Sequence, residues 1–124
     1  MANIEYSFDS RLDADFLKDV YEGDLEHAQT IFEQFIQLTP VQMNDIENTF
    51  QTGVVENFRQ KVHKLKPIFS FVGLTGLTTK AEILEKKCKE ITNIDEIDNL
   101  YKDLKNNYTI FFPVIENELT RLKG

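Results

Sequence analysis

The sequence predicts an all-α protein: an antiparallel, up-down four-helix bundle with a short extra helix at its N-terminal side. Three observations predict it. Breakers are scarce, with five glycines and three prolines in 124 residues, which favours long helices over many short strands joined by turns. Apolar residues recur at steps of three and four through five segments, the spacing of one helical face. The joints between segments are short, at Gly23, Gly53, Gly73 to Gly76 and Thr92-Asn93, and short joints set successive helices antiparallel.

The first segment, about Ser10 to Glu22, places Leu12, Phe16, Leu17, Val20 and Tyr21 on one side. Ser10 is its expected N-cap and Asp13 falls in the first turn, where a helix dipole favours negative charge. Gly23 is expected to end it. The second segment starts with Asp24 as cap and carries Leu25, Ala28, Phe32, Phe35, Thr39, Met43, Ile46 and Phe50 along one seam. A proline inside a helix costs about 3 kcal/mol and is a default stopping point. The seam nevertheless runs unbroken across Pro40, which predicts one long kinked helix over about Asp24 to Gln51.

The third segment, about Val54 to Val72, has its seam at Val55, Phe58, Val62, Leu65, Phe69 and Val72, with Gly73 as C-cap. The fourth, about Thr78 to Ile91, follows with Leu77, Ala81, Leu84, Cys88 and Ile91, so Cys88 reads as a small core residue rather than a reactive thiol. The fifth, about Ile94 to Leu122, aligns Ile94, Ile97, Tyr101, Leu104, Tyr108, Phe111, Ile115, Leu119 and Leu122, opened by an Asn93/Glu96 capping box. Pro113 falls off that seam and reads as a kink.

Composition bounds the function. A chain of 124 residues with 41% hydrophobic content is expected to form one domain over residues 1–124 around one core. The formal charge of -7 argues against nucleic acid, whose phosphates are held by clustered Lys and Arg. With Cys88 as the single cysteine, an internal disulfide and a multi-cysteine metal site are ruled out. The stretch from Met1 to Asp15 is polar and acidic, unlike a signal peptide, and no apolar run approaches the roughly 18 residues of a membrane span. The expectation is a soluble cytoplasmic protein with no membrane partner. A bundle with four internal seams needs no second subunit, so a monomer is expected.

The third segment holds the informative residues. On a helical wheel its seam covers an arc of about 80°, and His63 points about 140° from the centre of that arc. His63 is therefore expected on the exposed face. Lys66, three residues on, and Arg59, four residues back, are its side-by-side neighbours, and Ser70 continues the stripe. Pro67 and Phe71 are apolar, yet face away from the core. An acidic protein thus presents an imidazole flanked by two cations and bordered by exposed apolar side chains. Imidazole is a nucleophile near physiological pH. Attack on an acyl phosphate would leave a dianionic group that an adjacent ammonium can stabilise. Pro67, Ser70 and Phe71 would offer a partner its docking surface.

Val62-His63-Lys64-Leu65-Lys66-Pro67, followed by Gly73, resembles the motif of histidine-containing phosphotransfer (HPt) domains. There a small or apolar residue precedes His-x-Leu-Lys-Gly, and a further glycine follows about six to seven residues later. Gly23-Asp24 ahead of a long helix bearing Phe32 and Phe35, and Cys88-Lys89-Glu90 after Leu84, are similar to the same family, so the resemblance covers about residues 10 to 120. It implies that His63 carries a phosphoryl group on the ring nitrogen farther from the backbone. The exchange would be with aspartate in receiver domains of response regulators or hybrid sensor kinases. It further implies that Lys66, with Arg59 as a second cation, supports the group electrostatically, and that Gly73 ends the helix and permits the turn. HPt proteins hold no cofactor, and the magnesium of the reaction belongs to the receiver.

Pro67 is a departure, since the family has glycine there. Proline removes the N–H that would return to the His63 carbonyl. That change either alters docking or exposes the carbonyl and presents the imidazole. An independent enzyme is disfavoured. A di-iron bundle needs Glu-x-x-His pairs, whereas Gln60 precedes His63, Asp24 precedes His27, and His27 reads as a surface residue. A kinase would need a glycine-rich ATP segment. The stronger alternative is an HPt-like binding module that docks a receiver or sensor kinase without transfer.

Overall fold

A computed structural model describes residues 6–124; residues 1–5, the start of the expected domain and of its polar N-terminal stretch, lie outside the described residues. Among the described residues the chain is all-helical with no strand. The helices are α1 (Ala14–Tyr21), α2 (Leu25–Thr52), α3 (Val55–Phe71), α4 (Thr75–Cys88) and α5 (Asp98–Lys123), the last entered through a 3-10 turn at Ile94–Ile97. They pack together: α3 lies against α2 and α4, α5 against α2 and α4, and α1 against α2. None of the helices is long and apolar enough to cross a membrane.

The three-and-four seams supply the core. Phe58, Val62, Leu65, Phe69 and Val72 of the third segment are buried, as are Leu77, Ala81, Leu84 and Cys88 of the fourth and Ile94, Ile97, Tyr101, Leu104, Ile115 and Leu119 of the fifth. From α2 come Ala28, Phe32, Phe35 and Ile46, and all these apolar residues form one cluster, with the polar Thr39 of α2 buried as well. Each wholly buried Phe or Leu contributes about 1.5–3 kcal/mol relative to an exposed one. The buried Thr39 hydroxyl is satisfied by the Phe35 carbonyl at 2.7 Å and the Tyr108 hydroxyl at 2.9 Å. Helices α2 and α5 continue through Pro40 and Pro113, and α3 through Pro67.

Several boundaries differ from those the sequence suggests. Helix α1 begins at Ala14 with Asp13, not Ser10, as its N-cap, the Asp13 carboxylate accepting from the Phe16 N–H. Ser10 instead lies in a turn closed by the Leu12 N–H on the Asp9 carbonyl and the Arg11 N–H on the Asp9 carboxylate. Glu22 takes the left-handed conformation at the end of α1, one residue before Gly23. Helix α4 occupies Thr75–Cys88 rather than Thr78 to Ile91. Gly73, at φ +79, lets the Leu74 N–H return to the Phe69 carbonyl and its own N–H to that of Ser70, both at 2.9 Å. This cap reverses the chain so tightly that the next helix starts almost at once. The Asn93/Glu96 capping box is present, but it opens the 3-10 turn rather than α5 itself.

The N-terminal segment is latched to distant parts of the chain. The Asp9 N–H donates to the Glu118 carboxylate at 2.9 Å, Arg121 donates to the Ser7 carbonyl and pairs with Glu118, and Asp13 N–H donates to the Gly73 carbonyl at 2.8 Å. The Tyr21 hydroxyl donates to the Phe71 carbonyl at 2.6 Å.

Two glycines, one in the α3–α4 turn and one just inside α4, should respond oppositely to alanine. A Cβ on Gly73 would meet Leu17 Cδ1 at 2.7 Å and Leu12 Cβ at 3.0 Å and would hold a positive φ, whereas a Cβ on the helical Gly76 meets nothing within 4 Å. Gly73→Ala is expected to lose about 1–3 kcal/mol. Gly76→Ala should gain about 0.4–1 kcal/mol. Urea unfolding checks both, and equal effects would contradict this account of the turn.

Candidate functional site

The third helix turns its seam inward at Val62 and Leu65, and that orientation leaves His63 outside: 60% of its side chain is exposed. Across from it, α4 inserts a carboxylate that a helical reading of α3 alone does not reveal. Glu85 lies between the core positions Ala81 and Cys88, and only 9% of its side chain is exposed. One Glu85 oxygen, Oε1, lies 2.7 Å from Nδ1 of His63; the other, Oε2, accepts from Lys66 Nζ at 3.0 Å. Arg59 reaches Oε1 at 3.5 Å while its guanidinium is gripped by Glu56 at 2.6 and 2.8 Å.

The electrostatics set the protonation pattern. Burial pushes the Glu85 carboxyl up, but the hydrogen bonds from Lys66 and His63 outweigh it, and the net effect holds the group below its usual 4.5. Glu85 is therefore an anion near neutral pH and can only accept. The proton in the Nδ1···Oε1 bond then belongs to the imidazole, and in the neutral ring the lone pair lies on Nε2, the nitrogen farther from the backbone. A nucleophilic nitrogen faces solvent while the opposite side of the ring is fixed by a buried charge.

The other expected residues are distributed unevenly. Lys66 is 23% exposed and committed to Glu85 rather than pointing freely to solvent. The exposed stripe expected at Ser70 is modified: the Ser70 hydroxyl lies 2.7 Å from that of Thr78, a second tie between α3 and α4, so Ser70 is half-buried. Pro67 is exposed, Phe71 is 45% exposed, and Gly73 is buried at the turn. Phe71 borders a groove of about 140 Å³ between α2 and α3, shared with Ile31, Phe35, Leu38 and Ile68. That volume is below the roughly 300–1,000 Å³ of small-molecule pockets, so the groove fits a side chain better than a metabolite. His27 is exposed, with its ring edge against Tyr21. Cys88 is buried, and burial pushes its thiol up to about 11.

Glu85 and Thr78 are the site residues that the sequence reading missed. A signal for Glu85 existed: it lies four residues after Ala81 and three before Cys88, on the border of the buried stripe. Comparison of the chain with protein-family models, curated proteins and solved structures finds no match.

The tautomer can be tested directly. In nitrogen NMR the neutral His63 ring is expected in its Nδ1–H form, and Glu85→Gln should shift it toward Nε2–H; an Nε2–H ring in the wild type would contradict the arrangement. Because the Glu85 value is depressed on folding, the stability it contributes is present above 4.5 and lost as pH falls through its lower folded value. The stability advantage of wild type over Glu85→Gln should therefore disappear on acidification.

Proposed function

We propose that this chain is a histidine-containing phosphotransfer protein, which takes a phosphoryl group from the aspartyl phosphate of one receiver domain onto His63 and returns it to the aspartate of another. The observation that carries the reading is an exposed imidazole whose Nδ1 lies 2.7 Å from the buried, ionised Glu85 carboxylate. The resemblance of Val62 to Pro67 and Gly73 to the HPt motif points the same way.

In this reading the Nε2 lone pair attacks phosphorus. The Nε2–P bond forms as the bond from phosphorus to the acyl oxygen breaks, and the electron pair of the breaking bond stays on the receiver aspartate as its carboxylate. Positive charge develops on the ring during attack, and Glu85, already bound to Nδ1–H, compensates it without moving. Lys66 sits one helical turn along, where its ammonium can pair with the transferred phosphoryl oxygens. Arg59 acts at one remove, because Glu56 holds it and it reaches the imidazole only through Glu85. The reverse transfer uses the same groups, since the phosphorylated ring keeps its Nδ1 bond and leaves as a neutral imidazole.

The same reading includes the finer architecture. The Gly53-Val54 joint and the Val72-Gly73-Leu74 joint leave room only for reversals, so we infer that α2, α3, α4 and α5 run up and down as an antiparallel four-helix bundle. The protein would work in the cytoplasm as a monomer with no cofactor, the magnesium being the receiver's.

A second reading, an HPt-like module that docks without transfer, draws on Pro67, which stands where the family has glycine. Incubation with a receiver domain carrying labelled phosphate separates the two. Transfer predicts label on this chain that is lost in acid, kept in alkali and abolished by His63→Gln. Lys66→Ala should slow transfer roughly tenfold or more with unchanged helicity by circular dichroism, and Arg59→Ala should slow it less. Tight binding with no label in either wild type or His63→Gln would select the docking module.

A further inference from the structure

The His63 cluster holds more cations than its buried carboxylate uses. Lys66 Nζ is bound to Glu85 Oε2 at 3.0 Å, a full charge-assisted bond. Arg59 Nη1 stands off Oε1 at 3.5 Å, the outer limit of a hydrogen bond. Glu56 keeps it there, taking Nε and Nη2 at 2.8 and 2.6 Å and so occupying one edge of the guanidinium. Nη1 lies on the edge that remains, directed at Glu85. In this resting state Arg59 and Lys66 balance Glu56 and Glu85, and a neutral imidazole adds no charge.

The two carboxylates that share Arg59 differ in depth. The Glu56 side chain is 59% exposed and that of Glu85 only 9%. Water replaces a partner that Glu56 loses, so the surface pair is cheap to open. Glu85 has no such substitute, and a buried carboxylate left without a cation is costly. A guanidinium placed between them therefore stays with Glu56 only while Glu85 is satisfied by another cation.

A phosphoryl group on Nε2, the state required by the phosphotransfer reading on which this inference rests, removes that cation. It brings about two negative charges and competes with Glu85 for the Lys66 ammonium. As Lys66 turns to the phosphoryl oxygens, its bond to Oε2 lengthens and the buried carboxylate keeps only the imidazole N–H. We infer that Arg59 is the reserve counter-ion of this site: as Lys66 passes to the phosphoryl group, Arg59 loosens from Glu56 and closes onto Glu85. Arg59 is then a positioning residue that never touches phosphorus, and Glu56 is the anion that holds it ready. The exchange lets Lys66 serve the phosphoryl group without stranding Glu85. It acts on the stability of the phosphorylated form and leaves the resting form unaltered.

The test is the equilibrium distribution of labelled phosphate between a receiver domain and this chain, a ratio of free species that does not depend on how tightly the two proteins dock. Arg59→Gln should lower the share on His63 by about fivefold, while nitrogen NMR finds the resting ring still in its Nδ1–H form. Glu56→Gln should raise the share by about two- to threefold, since Arg59 then leans on Glu85 from the start. In a Glu85→Gln background no buried charge needs a replacement cation, and Arg59→Gln should act there by less than about twofold. A loss fully retained in that background overturns the proposal, by placing Arg59 on the phosphoryl group itself. A Glu56→Gln loss equal to that of Arg59→Gln also overturns it, because the pair would then be a scaffold. So does a resting ring driven to Nε2–H by Arg59→Gln, which would put Arg59 on Glu85 before any transfer. Label on His63 with wild type and Arg59→Gln alike removes the reserve counter-ion and keeps the relay. No label on wild type removes the relay, and this inference with it.

Discussion

The arrangement depends on one carboxylate held between two helices. Glu85 enters the border of the core on α4, where an unpartnered charge would cost several kcal/mol. It remains ionised because α3 supplies three donors to its two oxygens: His63, Lys66 and Arg59. Those donors occupy positions 59, 63 and 66, steps of four and three on one side of α3. The requirement that all three reach one group fixes the register of α3 against α4. The Ser70–Thr78 hydroxyl contact and the Gly73 cap secure the same register closer to the turn. A slide of one residue along α3 would rotate the donors by about 100° and strand the buried charge.

The core and the site are thus two faces of the same helix. Burying Phe58, Val62, Leu65 and Phe69 leaves no choice about where His63 points, and the depth of Glu85 decides which of its nitrogens is occupied. The combination suits a group that must be reachable by a partner and yet keep a defined tautomer. Solvent around an isolated imidazole would offer the first property without the second.

Much of this was legible in the sequence because helical seams are local. Steps of three and four at Val55, Phe58, Val62, Leu65 and Phe69 report burial without any knowledge of what they pack against, and the seams of α2 and α5 likewise predicted continuation past Pro40 and Pro113. The outward direction of His63 follows from the same wheel. What could not be read was pairing across helices. The wheel of α4 sets Glu85 on the border of the buried stripe, apart from the solvated Glu82, but it does not show the partner, a histidine 22 positions away. Element ends failed for a related reason. Asp13 outcompetes Ser10 as a cap because Asp9 and Arg11 already commit Ser10 to a turn, and α4 starts early because the Gly73 cap needs fewer residues than the Gly73 to Gly76 stretch suggested. Ser70 was placed on the right helix, but its hydroxyl turns to Thr78, a partner that the wheel of α3 does not contain.

The latch at the N-terminal segment has a consequence for the order in which the molecule assembles. The ties between α3 and α4 join residues 8 to 26 positions apart, so forming them closes only small loops. The bond from Asp9 to Glu118 spans 109 positions and that from Tyr21 to Phe71 spans 50, and closing longer loops costs more chain entropy. The helical pair that carries His63 can therefore form early from local contacts, with the N-terminal segment docking late onto a nearly finished surface. Segments that dock last through few contacts are also the first to detach in native fluctuations, so amide protons near Asp13 should exchange with solvent sooner than those in the middle of α3.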